Sequence, residues 1–373
     1  MRGTKSAMGN LKQKDCGWRL MADGKSEVAA CLDRALELAR RGEGHTRPNP
    51  PVGAVIVRDG RIVGEGYHRK AGTNHAETAA IADAKRRGQP TEGATIYVTL
   101  EPCSKPGRVG ACTDAIVAAG IKRVFYAVPD PNPVNRGRAK RVLAKAGVEC
   151  RCLATDCRAM WAKPKTNDAA SLGDLVRAAQ ELICPFAKHV TTGRPYVTVK
   201  LAMSLDGKIC DDRGNAKWIS SAASRRLTGR SRERVDAIMV GAETVRKDNP
   251  SLLSHGRRND DLLRVVVSRS GRLPKSAQVF TDGRNPTLVF RSVEEALDEL
   301  GRRGCLHVLC EGGLTLARAL ADRNLVDAWR LVTAPVVIGS RPISQALRFS
   351  LVSDGLSDPA AGDRIADYRR EIP

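Results

Sequence analysis

Four residues in one stretch of this 373-residue sequence could bind a metal ion and transfer a proton. His75 and Glu77 stand two positions apart, and Cys103 and Cys112 follow them, the first directly after a proline. Zinc binds imidazole and thiolate readily, and a catalytic zinc keeps three protein ligands and one open position. Water bound there has its pKa lowered from about 16 to about 7. A His–Cys–Cys ligand set would leave Glu77 free as a general acid and base.

The order of these residues is typical of one class of zinc enzyme. His-x-Glu followed by Pro-Cys and a further Cys is the signature of deaminases that act on nucleobases. The alternative is that His75 is an ordinary residue at a helix start and that the two cysteines are small buried apolar side chains. The complete set of residue types favours the metal site.

Local sequence predicts the elements that would position the four residues. A helix is predicted to begin at His75 and to end before Gly88, so that His75 and Glu77 lie in its first turn, near the positive end of the helix dipole. Residues 95–100 are predicted to form a buried strand that ends before Pro102. A second helix is predicted to begin at Cys112. Two helix starts beside one strand end can place three ligands around one ion.

Length and composition narrow the class of protein. The length suggests two domains of ordinary size, and 42% hydrophobic residues is typical of a globular chain. Residues 1–25 are polar, without the apolar core of a secretory signal, and are expected to form a disordered extension. Eleven cysteines then favour a cytoplasmic protein with a metal site over a disulfide framework. Cys150, Cys152 and Cys157 could bind a second metal, but without a matching cluster core packing is favoured.

The net charge of +21 is compatible with nucleic acid, a membrane surface or anionic small molecules as partners. The basic residues are spread through both halves, and aromatic residues make up only 4% of the chain, too few for a platform that stacks bases. No apolar run is long enough to cross a membrane. The charge is therefore interpreted as a solvated surface with phosphate-binding sites. A basic nucleic-acid-binding protein on a deaminase fold is the alternative from another class.

Strand and helix patterns divide the chain into two α/β halves. Asp59-Gly60 predicts a hairpin between two strands, and a strand over 122–128 that follows a helix indicates parallel pairing. A polar, turn-rich stretch follows, with a modest helical pattern over 172–183. The expected organisation is an extension at 1–25, a zinc deaminase domain at 26–153, a linker at 154–191 and a second α/β domain at 192–373. The last thirty or so residues read as irregular.

Two loops have features that suit a ligand. Asn49 lies between two prolines that would hold its amide in place, and an amide suits the edge of a pyrimidine. Residues 311–313, Glu-Gly-Gly, lie between a predicted strand and a predicted helix, where glycines let backbone amides approach a phosphate. A simple turn is the alternative at both places.

Taken together, these segments resemble the bacterial bifunctional riboflavin-biosynthesis proteins, in which a pyrimidine deaminase is fused to a pyrimidine reductase. The likeness extends roughly over residues 28–338. Eight residues separate Cys103 from Cys112, where tRNA and cytidine deaminases usually have two, and this favours the family over nucleic-acid editors. The matching segments are residues 47–55, 75–77, 97–104, 112–115, 130–133, 192–195, 200–208, 217–220, 241–252 and 311–313.

The resemblance implies a cytidine-deaminase-like three-layer domain followed by an α/β domain similar to dihydrofolate reductase. It implies zinc-dependent hydrolytic deamination of 2,5-diamino-6-ribosylamino-4-pyrimidinone 5'-phosphate, and then NADPH-dependent reduction of the ribosyl group to ribityl. The implied cofactors are Zn²⁺ and NADPH, and the implied partner is a phosphorylated pyrimidine. A cytoplasmic homo-oligomer, formed through the reductase half and without a membrane or nucleic-acid partner, is the accompanying expectation.

The resemblance also implies roles for individual residues. Glu77 would be the catalytic acid/base of deamination and Asp248 that of reduction. The metal ligands would be His75, Cys103 and Cys112. The substrate-binding residues would be Asn49, His68, Lys105, Arg108, Asp130, Asn132, Arg232 and Leu252. The cofactor-binding residues would be Lys200, Ala202, Trp218, Ser220, Thr244, Glu311, Gly312 and Gly313.

At three positions near the implied sites this sequence departs from the family pattern. Lys105 replaces a histidine that resembles a phosphate contact, and its positive charge is expected to retain phosphate binding with altered geometry. Ala216 stands where a serine is common and His255 where an arginine is common. An active deaminase with a weakened or lost reductase is therefore the nearest alternative.

Overall fold

A computed structural model describes residues 26–105, 110–156, 172–214, 219–254, 260–340, 347–348 and 363–370. The expected extension at 1–25 lies outside these ranges. Several residues singled out from the sequence also lie outside them, and their predicted roles stay predictions: Arg108, Cys157, Ala216, Trp218 and His255.

The first half of the described chain alternates strands and helices around one sheet. Its elements are α1 (Glu27–Arg40), β1 (Gly53–Arg58), β2 (Arg61–Tyr67), α2 (Ala76–Arg86), β3 (Thr95–Leu100), α3 (Cys112–Ala118), β4 (Arg123–Val128), α4 (Arg138–Lys145), β5 (Glu149–Cys152) and α5 (Leu153–Asp156). The strands pair in the order β2-β1-β3-β4-β5. β1 is antiparallel to both its neighbours, whereas β3, β4 and β5 are parallel, as the strand–helix–strand pattern predicted.

Helices cover both faces of this sheet and make three layers. On one face α1 packs against side chains such as Val55, Tyr97 and Phe125. On the other face α2, α3 and α4 pack against the alternate set, which includes Ile56 and Ile96. Because successive strand residues point to opposite faces, one apolar strand fills both cores. The deaminase-like three-layer fold predicted for this half is confirmed.

Glycines in β2 allow the helix that carries the predicted site to lie directly on the sheet. A Cβ atom at Gly66 would stand 2.3 Å from the backbone nitrogen of Ala80 and 2.5 Å from the carbonyl oxygen of Ala76, both in α2. Any side chain there would push α2 away from the sheet. The close approach sets the depth at which the first turn of α2, with Glu77, is buried.

The region expected to be a linker contains a long helix. α6 (Leu172–Thr192) extends the helical pattern predicted at 172–183 and continues through Pro185. It buries Leu175, Val176 and Ala179 in the same core as α1. It then leads directly into the first strand of the second half. The part of the helix beyond residue 183 buries Phe186, and its Lys188 pairs with Asp327 of the second half, a contact that local sequence does not reveal.

The second half is built on another sheet. Its elements are β6 (Tyr196–Met203), α7 (Ala222–Ser231), a 3₁₀ turn (Arg232–Arg234), β7 (Ala237–Gly241), α8 (Ala242–Asp248), β8 (Leu263–Val267), α9 (Gln278–Thr281), β9 (Thr287–Phe290), α10 (Val293–Arg302), β10 (His307–Cys310), α11 (Leu314–Ala321), β11 (Ala328–Thr333), β12 (Val336–Val337), β13 (Leu347–Arg348) and β14 (Arg364–Arg369). The main sheet has the order β14-β11-β6-β10-β7-β8-β9. All neighbours are parallel except β11 and β14, so the α/β fold class is confirmed here as well.

Two details of the second half differ from the sequence-based expectation. The strand expected over 326–338 is divided into β11 and β12, with Pro335 between them. The tail, expected to be irregular, contains β14, which pairs along β11 from Ala328 to Thr333. β14 is largely exposed and lacks a clear alternation of apolar residues. Its conformation is therefore set by pairing with a neighbour far away in the sequence. Among the described helices, none combines the length and the apolar character that crossing a membrane requires.

Candidate active sites

Three elements of the first half bring their ends together at the predicted metal ligands. His75 is the residue that caps the start of α2, Cys112 is the first residue of α3, and Cys103 follows the end of β3. The Nδ1 atom of His75 lies 3.6 Å from Sγ of Cys103 and 3.3 Å from Sγ of Cys112. In the described ranges this is the one group of three His, Cys, Asp or Glu residues whose ligand atoms all lie within 4.8 Å of one another.

These separations fit a tetrahedral zinc ion. With Zn–S bonds of about 2.3 Å and Zn–N bonds of about 2.05 Å, tetrahedral angles place N and S about 3.6 Å apart. The backbone N–H of Cys112 donates to Sγ of Cys103 at 3.4 Å. This hydrogen bond holds the start of α3 against the segment that follows β3. Hydrogen bonds from Cys112 and His75 lower the pKa of the Cys103 thiol, and the same contact raises the pKa of Cys112. These hydrogen bonds favour the thiolate, the form that binds metal, at Cys103.

Glu77 lies beside this group but is not one of its three members. Its side chain is buried, with 3% of its surface exposed. Burial and the nearby Cys103 sulfur raise the pKa of Glu77 to about 7. A carboxyl group with this pKa both accepts and donates a proton near neutral pH, which is what a general acid and base requires.

Asn49 and His68, predicted from separate segments, meet next to the metal group. The amide nitrogen of Asn49 lies 3.0 Å from Nε2 of His68, and Nδ1 of His68 lies 3.1 Å from the carbonyl oxygen of Asn74. The carbonyl oxygen can only accept, so Nδ1 carries the proton and Nε2 accepts from the amide. The rings of His68 and His75 are in edge contact, 5.2 Å between centroids. Asn49 therefore reaches the edge of the candidate zinc site.

The loop that carries Asp130 and Asn132 is fixed by a residue that the sequence reading did not single out. Glu101 is buried, and its carboxylate accepts hydrogen bonds from the backbone N–H groups of Asp130, Gly137 and Ala139 at 3.0–3.2 Å. Asp130 in turn accepts a hydrogen bond from the backbone N–H of Asn132 at 2.8 Å. Glu101 precedes Cys103 by two residues and so links this loop to the metal group. An acidic residue directly after a buried apolar strand was the available signal.

Lys105 is exposed at the rim of this site, next to the residues that the structure does not describe. The phosphate contacts expected of Lys105 and Arg108 therefore stay predictions.

The residues predicted for the second site come from the ends of several elements. Lys200 and Ala202 lie on one face of β6, since they are two positions apart, and Ser220 directly precedes the N-cap of α7. Thr244 lies in the first half of α8, and Asp248 is the last residue of that helix and is exposed. Leu252 is buried in an apolar cluster, with a positive φ of 54°. The predicted Glu-Gly-Gly turn does join β10 to α11.

Arg232 and Glu311, predicted for substrate and for cofactor respectively, form an ion pair with each other. Nε and Nη2 of Arg232 donate to the two carboxylate oxygens of Glu311, each at 2.8 Å, and Nη1 donates to the carbonyl oxygen of Leu253 at 3.0 Å. Both side chains are less than 15% exposed. Burial lowers the pKa of the neighbouring Lys200. The described part of the second site therefore contains three charged groups, and two of them, Arg232 and Glu311, are held in place by hydrogen bonds to each other.

Two family models match the chain in sequence. The cytidine and deoxycytidylate deaminase zinc-binding region matches residues 25–128, and the RibD C-terminal domain matches residues 195–351. The first covers the His–Cys–Cys group and the second covers most of the seven-stranded sheet.

Curated relatives match along most of the chain. The riboflavin biosynthesis protein RibD of Bacillus amyloliquefaciens is 37% identical over 338 residues, which cover 83% of this chain and 84% of the relative. The protein of the same name from Aquifex aeolicus is 39% identical over 329 residues, covering 82% and 86%.

Solved structures agree with this result. A diaminohydroxyphosphoribosylaminopyrimidine deaminase/5-amino-6-(5-phosphoribosylamino)uracil reductase from Thermotoga maritima has a TM-score of 0.77 and 33% identity, over 92% of this chain and 98% of that one. RibD of Acinetobacter baumannii has a TM-score of 0.68 and 32% identity, over 88% and 95%. Likeness of this extent, together with the zinc-binding and reductase domains, shows that the chain belongs to the RibD family of bifunctional riboflavin-biosynthesis enzymes.

Proposed function

We propose that this enzyme performs two consecutive reactions on one phosphorylated pyrimidine. The first half would deaminate 2,5-diamino-6-ribosylamino-4-pyrimidinone 5'-phosphate, and the second half would reduce the ribosyl group of the product to ribityl with NADPH. The observation that carries the proposal is the His75–Cys103–Cys112 group at zinc spacing, with the buried Glu77 beside it.

In deamination, His75, Cys103 and Cys112 would hold the zinc. When bound, zinc acts as a Lewis acid that makes hydroxide available at neutral pH. Glu77 would take up a proton from the attacking water and deliver it to the leaving amino group, which departs as ammonia. The raised pKa of Glu77 supports this role, because a carboxyl with an ordinary pKa would rarely be protonated at pH 7.

Substrate orientation would fall to the residues around this group. Asn49 donates one amide hydrogen to His68, which leaves its amide oxygen and second hydrogen for the edge of the pyrimidine. Asp130 and Asn132 would contact the substrate from the loop that Glu101 fixes. Lys105 and Arg108 would bind the phosphate through their positive charges.

In reduction, NADPH supplies the hydride. The proposed cofactor-binding residues are Lys200, Ala202, Trp218, Ser220, Thr244, Glu311, Gly312 and Gly313. Arg232, Asp248 and Leu252 would contact the substrate, with Asp248 as the acid/base group. Glu311 supports this arrangement because it holds the guanidinium of Arg232 in one orientation.

The proposed domain limits are 26–153 for the deaminase and 192–373 for the reductase, with 154–191 between them. We also propose a cytoplasmic homo-oligomer that assembles through the reductase half, without a membrane or nucleic-acid partner. Full-length likeness to bifunctional relatives favours two active domains over a deaminase with a lost reductase. The same likeness disfavours a nucleic-acid-binding protein on a deaminase fold.

A coupled assay tests the proposal. Purified zinc-loaded protein is given the diamino-pyrimidinone ribosyl phosphate with and without NADPH, and ammonia and ribityl product are measured. Ammonia release in both cases, with ribityl product only when NADPH is present, is the expected result. Ammonia release without any ribityl product would contradict the reductase assignment. If metal-loaded protein releases no ammonia, the assignment of this pyrimidine as the deaminase substrate is contradicted.

A further inference from the structure

The loop that carries Asn49 rests on the second half of the molecule. We call residues 44–49 the Asn49 loop. A Cβ atom at Gly44 would stand 2.4 Å from the carbonyl oxygen of Glu233, and a Cβ atom at Gly304 would stand 3.0 Å from Cβ of Pro48. The reductase half therefore touches this loop at both of its ends.

Arg47 makes one of the polar contacts between the loop and the reductase half. Its Nη1 donates to the backbone carbonyl oxygen of Asp236 at 3.1 Å and lies 3.7 Å from Sγ of Cys305. Arg47 is partly buried, so this contact competes less with water than a surface ion pair does. Lys70 and Asp261 also join the halves, at 3.3 Å, but both side chains are more than 40% exposed and the pair is expected to contribute little.

The segment of the reductase half that Arg47 contacts is held in place by hydrogen bonds. The carboxylate of Asp236 is buried and accepts hydrogen bonds from the backbone N–H groups of Leu306 and His307 at 2.8 and 3.0 Å. These bonds hold the start of β7 against the start of β10. The proposed cofactor turn follows the other end of β10, about 13 Å of strand away. The Arg47 contact therefore lies at the opposite end of β10 from the proposed cofactor turn.

Arg47 is two residues from Asn49. The backbone N–H of Asn49 donates to the carbonyl oxygen of Thr46 at 2.9 Å, and its side-chain amide donates to His68 at 3.0 Å. The position of the amide thus depends on His68 from one domain and, through Arg47, on Asp236 from the other. We propose that Arg47 is a positioning residue for deamination, through which the reductase domain holds Asn49 in the substrate-binding position.

This inference rests on the proposed binding of the pyrimidine by Asn49. It makes the contact between domains part of the deaminase site. Arg47 acts on substrate binding and leaves the zinc ligands and Glu77 untouched. Loss of Arg47 therefore raises the KM for deamination and changes kcat little, since the interaction contributes equally to ground state and transition state.

The first test compares Arg47→Ala with Arg47→Lys in the full-length, zinc-loaded enzyme. Arg61→Ala is the matched control, because Arg61 is exposed in β2 at the Asp59-Gly60 hairpin. Ammonia release is measured without NADPH, together with zinc content and reductase kinetics on the deaminated product. Arg47→Ala is expected to raise the deamination KM at least about fivefold, with kcat within about twofold. Arg47→Lys is expected to restore part of the affinity, and Arg61→Ala to match the unmodified enzyme.

The second test changes the reductase side of the contact. Gly304→Ala would press a methyl group on Pro48, whereas Gly271→Ala has a similar positive φ, 67° against 71°, and meets no atom within 4 Å. Both substitutions strain the backbone to a similar degree, so their difference isolates the contact with Pro48. Gly304→Ala is expected to raise the deamination KM and Gly271→Ala to leave it unchanged.

Asn49→Ala separates this inference from the proposed function. If Asn49→Ala raises the KM while Arg47→Ala and Gly304→Ala match their controls, Arg47 has no positioning role and the proposed substrate site stands. A fall in kcat accompanied by loss of zinc in Arg47→Ala would also overturn the inference, because Arg47 would then support the fold. An unchanged KM in Asn49→Ala would overturn the proposed substrate contact itself.

Discussion

The two candidate sites of this enzyme are assembled in different ways. The deaminase site is built from the starts of α2 and α3 and from the end of β3, and its ligand atoms lie within 4.8 Å of one another. The residues proposed for the reductase site come from β6, the segment before α7, α8 and the turn after β10, and they lie up to 113 residues apart in the sequence, from Lys200 to Gly313. A metal site needs a few side chains of distinctive type, whereas a nucleotide site uses many ordinary residues and much backbone. The first is therefore far easier to recognise in a sequence.

Charge is also handled differently in the two sites. Glu77 is buried beside a sulfur atom, and its pKa is raised to about 7. Glu311 is buried beside a guanidinium and forms two hydrogen bonds with it. The carboxyl group of Glu77 can exchange a proton near neutral pH, whereas the carboxylate of Glu311 is held by the guanidinium of Arg232. Substitution of Glu77 should therefore lower catalysis and spare stability, whereas substitution of Glu311 should lower the stability of the reductase half.

Glu77→Gln should have the largest effect. Glutamine keeps the shape but cannot exchange a proton, so the kcat of ammonia release is expected to fall about 10²–10⁴-fold. Zinc content and reductase kinetics should stay unchanged, because Glu77 is not one of the three ligands. Kinetics with metal analysis checks this. Near-normal ammonia release by metal-loaded protein would remove Glu77 from the reaction.

Glu311→Gln should destabilise the reductase half and spare deaminase chemistry. The substitution leaves a largely buried guanidinium without its counter-charge, at an expected cost of about 3 kcal/mol in unfolding free energy. Asp367→Asn is the matched control. Asp367 also pairs with an arginine through two hydrogen bonds, but it is 45% exposed and should cost less than about 1 kcal/mol. Urea unfolding measures both, and equal losses would contradict the role of burial.

Glu101→Gln tests the support of the Asp130 loop. Glutamine offers one neutral oxygen where the carboxylate accepts three backbone hydrogen bonds, and the expected loss of stability is about 2 kcal/mol. The deamination KM should rise because the loop that carries Asn132 loosens, whereas reductase kinetics should not change. Thermal unfolding and separate kinetics for the two reactions measure these effects. An unchanged KM would mean that the loop is held by its other contacts alone.

The pH dependence of stability should show the smallest effect. Burial, with a contribution from Arg330, lowers the pKa of His307 to about 4 in the folded protein. Between about pH 6.5 and 4 the unfolded chain binds a proton that the folded protein does not, so stability falls as the pH is lowered. The expected loss between pH 7 and pH 5 is about 1–2 kcal/mol. Urea unfolding of the enzyme and of His307→Asn measures it, and identical pH profiles would contradict it.

The sequence anticipated the elements whose signals are local. The hairpin at Asp59-Gly60, the helix that begins at Cys112 and the buried strand β3 occur as predicted, and the helix predicted from His75 begins one residue later, with His75 as its N-cap. Each depends on a few neighbouring residues, such as a turn dipeptide or a glycine after a helix. The full length of α6 and the strand β14 were missed because each is stabilised by a distant partner: Lys188 near the end of α6 pairs with Asp327, and β14 pairs with β11.

The residues of the candidate sites also divide into those with a local sequence signal and those whose contacts depend on the fold. Residue types and spacing alone indicated the candidate ligands His75, Cys103 and Cys112 and the candidate proton carrier Glu77, because zinc chemistry restricts which side chains can serve. Only the tertiary structure decided that Arg232 pairs with Glu311, that Glu101 fixes the Asp130 loop and that Arg47 reaches Asp236 across the domain boundary. The physical reason is that a hydrogen bond between segments far apart in sequence depends on their distance in space, which folding sets and no local pattern records.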